Sequence, residues 1–234
     1  LKGLRKGRIG SRRHGRGLFK KITRLSANMS FSIDYYIAPQ SPWTYFGHAR
    51  FMHIAAEAGA TIRLKPMDLM RQIFPVTGGL PVGQRSPQRQ AYRLVELQRF
   101  AEHLQLPFHL HPAFFPVPGD DASRLLIAVD QHDGTDAAMR LCGALLSAVW
   151  AQERDIASAS VLAELLHEQG LDASRLTQAA EPQVQAAYQT CTEEALAAGV
   201  FGAPTYVFEG ELFWGQDRLE FLHRRLQAAR AVRG

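Results

Sequence analysis

Strand-forming sequence lies at the two ends of this chain and is nearly absent from its middle. Residues 31–37, FSIDYYI, are rich in aromatic and β-branched side chains, as a buried strand should be. Residues 42–58 follow with an amphipathic helical pattern and stop at Gly59, a normal C-terminal signal. Residues 61–67, TIRLKPM, read as a second strand. Connections this short imply a β-α-β unit with parallel strands and a right-handed crossover. The Gly- and Pro-rich stretch PVTGGLPVGQRSPQ then reads as a loop. From Gln88 to Ala198 the pattern is almost wholly helical, with helices expected near 121–132, 135–152, 158–169 and 181–198 after the amphipathic run RQAYRLVELQRFAEHLQL. Strand character returns in APTYVFEGELFW, 203–214, as a hairpin around Glu209-Gly210, and 216–232 closes the chain as a helix. The order predicts an α/β fold, β-α-β then β-β-α, with a large all-helical insertion: residues 29–79 and 199–234 form one domain and 80–198 the inserted one.

Two stretches invite a chemical reading. In IAPQSPWTYF, 37–46, the chain leaves a strand and starts a helix at once. Ser41 is a good N-cap and Pro42 suits the first helical position, where its missing N–H costs nothing. Such a turn also presents free N–H groups and a positive dipole end, so a hydroxyl there can hold a thiolate or an oxyanion. In GVFGAPTYVF, 199–208, Pro204 opens a strand that should lie beside the first, where it cannot donate to the ladder. A cis Ala203–Pro204 bond, turning the Ala203 backbone outward to pair with an extended ligand, is one solution. An ordinary edge-strand or turn proline is the other.

Charge is unevenly placed. The net +5 comes from residues 1–28, which hold ten Lys and Arg and no acid; the remainder carries 17 basic and 22 acidic residues, a balance of −5. The tail is expected to be disordered and to lie outside the natural protein as upstream or leader sequence, because Met29 immediately precedes the first strand. A transit peptide, or a basic arm for nucleic acid or anionic lipid, is the other reading of it. The acidic body gives no support for nucleic-acid binding, and no apolar run reaches the roughly 18 residues of a membrane span. Cys142 and Cys191 lie far apart in helical patterns, which suggests small core residues rather than a disulfide framework or a metal site, and makes a reducing cytoplasm the default.

Taken together, Ser-Pro-Trp at the head of the first helix, the helical insertion, GVFGAPTYVF and FWGQDRL are in an order that resembles the thioredoxin-fold family of 2-hydroxychromene-2-carboxylate isomerases. These are relatives of kappa-class glutathione transferases and, further off, of Dsb-type disulfide oxidoreductases. The resemblance covers essentially all of residues 31–230 and implies glutathione as cofactor, a small aromatic substrate, a homodimer and no metal. Ser41 matches the serine that contacts the glutathione sulfur. Ala203, before the presumed cis Pro204, matches the residue whose backbone pairs with the cysteinyl unit. Trp214, Gly215, Gln216 and Asp217 match the segment that holds the γ-glutamyl end, with Asp217 as partner for its ammonium group.

With Ser41-Pro42-Trp43-Thr44 in place of Cys-x-x-Cys, dithiol exchange at this turn is excluded. What the resemblance implies instead is addition of the cofactor thiolate to an unsaturated carbon, rotation about the bond made single, and elimination. Lowering a thiol pKa by about two units corresponds to about 2.7 kcal/mol, within reach of one charge-assisted bond plus a helix dipole. Two other outcomes share the same residues: glutathione conjugation, as in a kappa-like transferase, and a non-catalytic peptide-binding module that pairs with an extended chain.

The loop after the second strand departs from the family pattern: Phe74 or Pro75 stands where a Lys is common, and Gly79 where an Asn is. Arg71 or Arg85 could replace the Lys, although surface arginines are the expectation. Arg85, Arg89 and Arg93, spaced by four with Glu96 following, read as a solvated helix stripe with ion pairs, or as the border of an entrance for an acidic substrate. His109 and His111 read as structural or surface residues, Phe114, Phe115 and Trp150 as core, and Asp130, Asp133 and Asp136 as capping residues at a helix junction.

Overall fold

The computed structural model describes residues 31–233, so the basic tail lies outside the described residues. Strands β1 (Ser32–Ile37), β2 (Thr61–Pro66), β3 (Thr205–Phe208) and β4 (Glu211–Trp214) form one sheet in the order β2-β1-β3-β4. β2 runs parallel to β1, with Ser32 opposite Thr61, and β3 runs antiparallel to it, with Tyr36 opposite Thr205. The first strand of the chain thus sits between strands from both ends of the sequence. Ile33, Tyr35 and Ile37 are fully buried on one face of β1, and Tyr36 joins Val207, Met67 and Ala195 on the other. Burial on both faces explains why FSIDYYI lacks clean alternation.

Helix α1 (Pro42–Ala58) starts at Ser41 and ends at Gly59, whose φ of 64° is the left-handed conformation that glycine adopts without a side-chain clash. The connection from β2 is more ordered than its composition suggests. It holds a π-helical turn (Leu69–Ile73), α2 (Phe74–Thr77) and a 3-10 turn (Val82–Gln84). Asp68 caps the first of these by accepting from the Arg71 N–H at 3.0 Å.

The insertion contains α3 (Pro87–Leu104), α4 (Asp120–Asp133), α5 (Thr135–Ala151), α6 (Ala159–Glu168), α7 (Ser174–Ala179) and α8 (Pro182–Ala197). Helix α7 was not expected from the sequence. The last helix, α9 (Leu219–Arg233), begins after a 3-10 turn, Gln216–Arg218, that the sequence pattern had merged with it.

One apolar cluster runs through both sequence segments. Ile33, Tyr35 and Phe51 share it with Leu125, Leu141 and Trp150 of the insertion. His48 of α1 crosses the junction: its Nε2 lies 2.9 Å from the Met139 carbonyl of α5, and its Nδ1 3.2 Å from the Tyr35 hydroxyl.

Several polar readings need correction. Asp133 pairs with Arg175 of α7 at 2.6 Å instead of capping a helix, which explains how that short polar helix is held. Phe114 is 44% exposed, whereas Trp150 is fully buried and packs against Phe115 with 4.8 Å between ring centres. Arg93 is only 9% exposed, so the arginine stripe of α3 is not uniformly solvated, and Glu96 pairs with Arg99 rather than with any of its members.

Candidate active site

The site is built where the C-terminal end of β1, the start of β3 and the end of β4 meet the N-terminus of α1. Ser41 is 8% exposed. Its Oγ accepts from the Thr44 N–H at 3.3 Å, as a cap should, and donates to the Ala203 carbonyl at 3.4 Å. That second bond joins residues 162 apart in sequence. It is long, so the hydroxyl hydrogen is weakly held and free to turn to a stronger acceptor. In the first turn of α1, Ser41 N–H bonds to Ala38, Thr44 N–H to the cap, and Tyr45 N–H to the Ser41 carbonyl. Pro42 has no N–H, so among the described residues the Trp43 amide is the free donor of that turn.

The Ala203–Pro204 peptide is cis. Among the described residues the Ala203 N–H takes no hydrogen-bond acceptor, although Ala203 itself is 8% exposed. The Pro204 carbonyl accepts from the Gly215 N–H at 2.8 Å, which ties the start of β3 to the turn after β4. A Cβ at Gly202 would collide with the Trp214 indole, so a larger residue there would have to displace that side chain. Trp214 is 51% exposed and packs on Phe201, with ring centres 4.7 Å apart.

Gly215 has a φ of 96°, and a Cβ on it would crowd the Asp217 carboxylate. Asp217 is about half exposed and pairs with Arg218 at 2.6 Å. Gln216 is 1% exposed and turns the other way: its Oε1 accepts from Arg50 of α1 at 2.8 Å, while its Nε2 is buried without a partner. Ser41 thus touches Ala203, Pro204 ties the start of β3 to Gly215, and Gln216 locks that turn to α1, with Trp214 and Asp217 on either side of Gly215 and Gln216.

A cavity of about 110 Å³ has Gln40, the residue before Ser41, in its wall together with Asp68, Arg71, Gly119, Asp120 and Tyr188. Arg71 is taken up there by two carboxylates, Asp68 at 2.9 Å and Asp120 at 2.5 Å, so its charge is already matched. Gln40 packs so closely on Gly119 that a Cβ at that glycine would collide with it, yet Gln40 Oε1 is buried without a partner. Phe74 and Gly79 pack on each other, leaving no room for a side chain at the glycine.

The profile of the DSBA-like thioredoxin domain matches residues 32–227. The chain belongs to that family. Among DsbA-like proteins it is similar to 2-hydroxychromene-2-carboxylate isomerase of Sphingobium xenophagum, 26% identical over 199 residues, covering 85% of this chain and 99% of the relative. The isomerase of the same name from Pseudomonas putida is 27% identical over 192 residues, covering 81% and 91%. A solved structure of a 2-hydroxychromene-2-carboxylate isomerase superposes with a TM-score of 0.72 at 26% identity, covering 85% of this chain and 95% of that one. The cytosolic disulfide reductase DsbM of Pseudomonas aeruginosa, solved with GSH, shares the fold at 21% identity and a TM-score of 0.61, covering 84% and 99%. The resemblance read from SPW, GVFGAPTYVF and FWGQDRL is borne out, as is the thioredoxin-like fold with its helical insertion.

This DsbA-like domain has no thiol at the α1 turn. Cys142 is fully buried, and burial pushes its thiol up, as it does for Cys191, to about 11. Neither supplies a thiolate at neutral pH. His109 and His111 are exposed, and no group of three metal-ligating side chains occurs among the described residues. No helix among these residues is long and apolar enough to cross a membrane.

Sequence reasoning missed Gln40, and it named Arg93 only within a stripe read as solvated or as the border of an entrance for an acidic substrate. The signal for Arg93 was present: it shares the helical register of Leu97 and Ala101, the two buried apolar residues of α3. Gln40 left no comparable mark, because its burial depends on Gly119 in a distant segment.

Proposed function

We propose that this protein is a glutathione-dependent cis-trans isomerase acting on 2-hydroxychromene-2-carboxylate or a similar unsaturated intermediate of aromatic degradation. The observation that carries this reading is the Ser41 hydroxyl, buried at the N-terminus of α1 and weakly bonded to the Ala203 carbonyl, at a turn that holds no cysteine. The isomerase relatives, and the glutathione present in the DsbM structure, support the choice of reaction and cofactor.

The residues fit a glutathione-sized ligand. The Ala203 N–H is free to pair with a peptide unit, and the half-exposed Asp217 can face an ammonium group once Arg218 swings aside. Glutathione held there would supply a thiolate able to add reversibly to an electrophilic carbon, with elimination restoring the double bond and the thiolate after rotation. The chain's part is to keep that sulfur ionised. Ser41 Oγ–H turns from the Ala203 carbonyl toward it, and the free Trp43 N–H and the α1 dipole add a favourable potential. Ser41 activates the cofactor and forms no covalent bond. Three proposals remain: residues 80–198 act as an inserted helical domain, read from the order of elements; the chain works in the cytoplasm, read from its cysteines; and it is a homodimer, read from the family resemblance.

The test is kinetic. Isomerisation of 2-hydroxychromene-2-carboxylate, followed by absorbance with saturating glutathione, should depend on the thiol. In Ser41→Ala, turnover should fall about 100-fold while glutathione still binds, the scale of losing one donor to a developing anion. Full turnover in that variant would remove Ser41 from the mechanism. Release of a stable conjugate in place of the rearranged acid would favour the transferase reading.

A further inference from the structure

Arg93 breaks the ordinary rule for buried cations. It is 9% exposed, its Nη2 is buried without a hydrogen-bond partner, and no carboxylate among the described residues pairs with it. Its guanidinium lies over the Phe115 ring, 5.2 Å from the centre. Asp155, in the wall of the cavity that Phe115 also lines, is engaged by the Ala157 N–H. The other charged group within reach is another cation. Arg85, partly buried and donating its Nε–H to the Leu80 carbonyl at 2.9 Å, pushes Arg93 down, although burial is the larger cause. At about 10 Arg93 is still charged at neutral pH. Buried charges in folded proteins are normally paired. Here two guanidiniums share one region with no carboxylate partner among the described residues.

Two runs of contacts link this region to the candidate site. The segment from Phe115 to Gly119 begins beneath Arg93 and ends against Gln40, the residue before Ser41. One helical turn beyond Arg93, Leu97 packs with Phe46 of α1. In the next turn Phe100 meets Trp43 edge to face, with ring centres 5.8 Å apart. Arg71, in the loop after β2, is already neutralised by Asp68 and Asp120, whereas Arg93 on α3 has no such partner among the described residues.

We propose that Arg93, supported by Arg85, forms a carboxylate-binding subsite of the candidate site, holding either the acid group of the aromatic substrate or the glycyl carboxylate of glutathione. The inference rests on the isomerase reading for the nature of the ligand, while the subsite itself rests on the unpaired guanidinium. A planar guanidinium suits the task because it can donate two parallel bonds to one carboxylate.

The experiment uses the full chain, Arg93→Met, which keeps an unbranched side chain of moderate length, and Arg93→Lys, which keeps the charge but not the fork. Binding of trans-cinnamate is compared with that of cinnamide, and binding of reduced glutathione with that of its glycyl ethyl ester. If the substrate acid is the ligand, wild type prefers cinnamate to cinnamide by about tenfold or more, and Arg93→Met loses that preference while glutathione binding is unchanged. If the glycyl end is the ligand, Arg93→Met binds glutathione about tenfold more weakly, no better than wild type binds the ester, and cinnamate is unaffected. Either result supports the subsite, with Arg93→Lys between the two. In both cases Arg93→Met should melt at a higher temperature than wild type without ligand, because an uncompensated buried charge is gone. A variant that melts lower and binds every probe as wild type does would overturn the proposal and make Arg93 structural. Wild type that binds cinnamate through Arg93 but no glutathione would sink the glutathione reading and leave the subsite standing.

Discussion

Arg71 and Arg93 touch the two ends of one segment: Arg71 pairs with Asp120, and Arg93 covers Phe115. Their surroundings are opposite. The Arg71 side chain is 66% exposed and has two carboxylate partners; Arg93 is 9% exposed and has none. An arginine needs partners least where water reaches it and most where it does not. The pairing here is inverted, and the inversion separates the two roles. Arg71 closes a local structure, the π-helical turn and its junction with α4. Arg93 is a buried charge of α3 with no carboxylate partner among the described residues.

The sharpest contrast comes from a third buried group. His48 meets the same problem by staying neutral: burial lowers it to about 4, against its ordinary 6.5. The unfolded chain therefore binds more protons between those values, so stability is fully present above pH 6.5 and is lost as pH falls toward 4. The loss is about 3 kcal/mol from this group alone. Denaturant unfolding at a series of pH values should show it, and His48→Gln should flatten that window. A profile unchanged by the substitution would mean that another group carries the acid sensitivity.

A smaller effect is expected at Arg71. Arg71→Met should cost no more than about 1 kcal/mol, because the pair is mostly exposed and Asp68 keeps the Arg71 N–H as a donor. Cinnamate and glutathione affinities should not change. A loss of ligand binding comparable to that in Arg93→Met would erase the distinction between the two arginines.

The strands and most helices were legible because their signals are local. Ser41-Pro42 and Gly59 mark the ends of α1, Pro87 and Pro182 sit in the first turns of α3 and α8, and the Glu209-Gly210 turn fixes the hairpin. What the sequence hid depends on distant partners. Arg71 in the π-helical turn after β2 pairs with Asp120, and Arg175 of α7 pairs with Asp133. The contact between Ser41 and Ala203 forms only when β3 closes against β1, so it could be anticipated through the resemblance but not through spacing. Arg93 was misread because its charge suggested solvent, while its position in the register of Leu97 and Ala101 pointed inward.

The central claim is a glutathione site spanning Ser41, Ala203 and the 214–217 turn, and calorimetric titration of reduced glutathione into the full chain tests it most directly. The account predicts saturable binding that weakens about tenfold or more in Asp217→Ala, whose carboxylate would face the ammonium group. No binding at millimolar glutathione would contradict it, and would bring forward the peptide-binding reading of the Ala203 backbone.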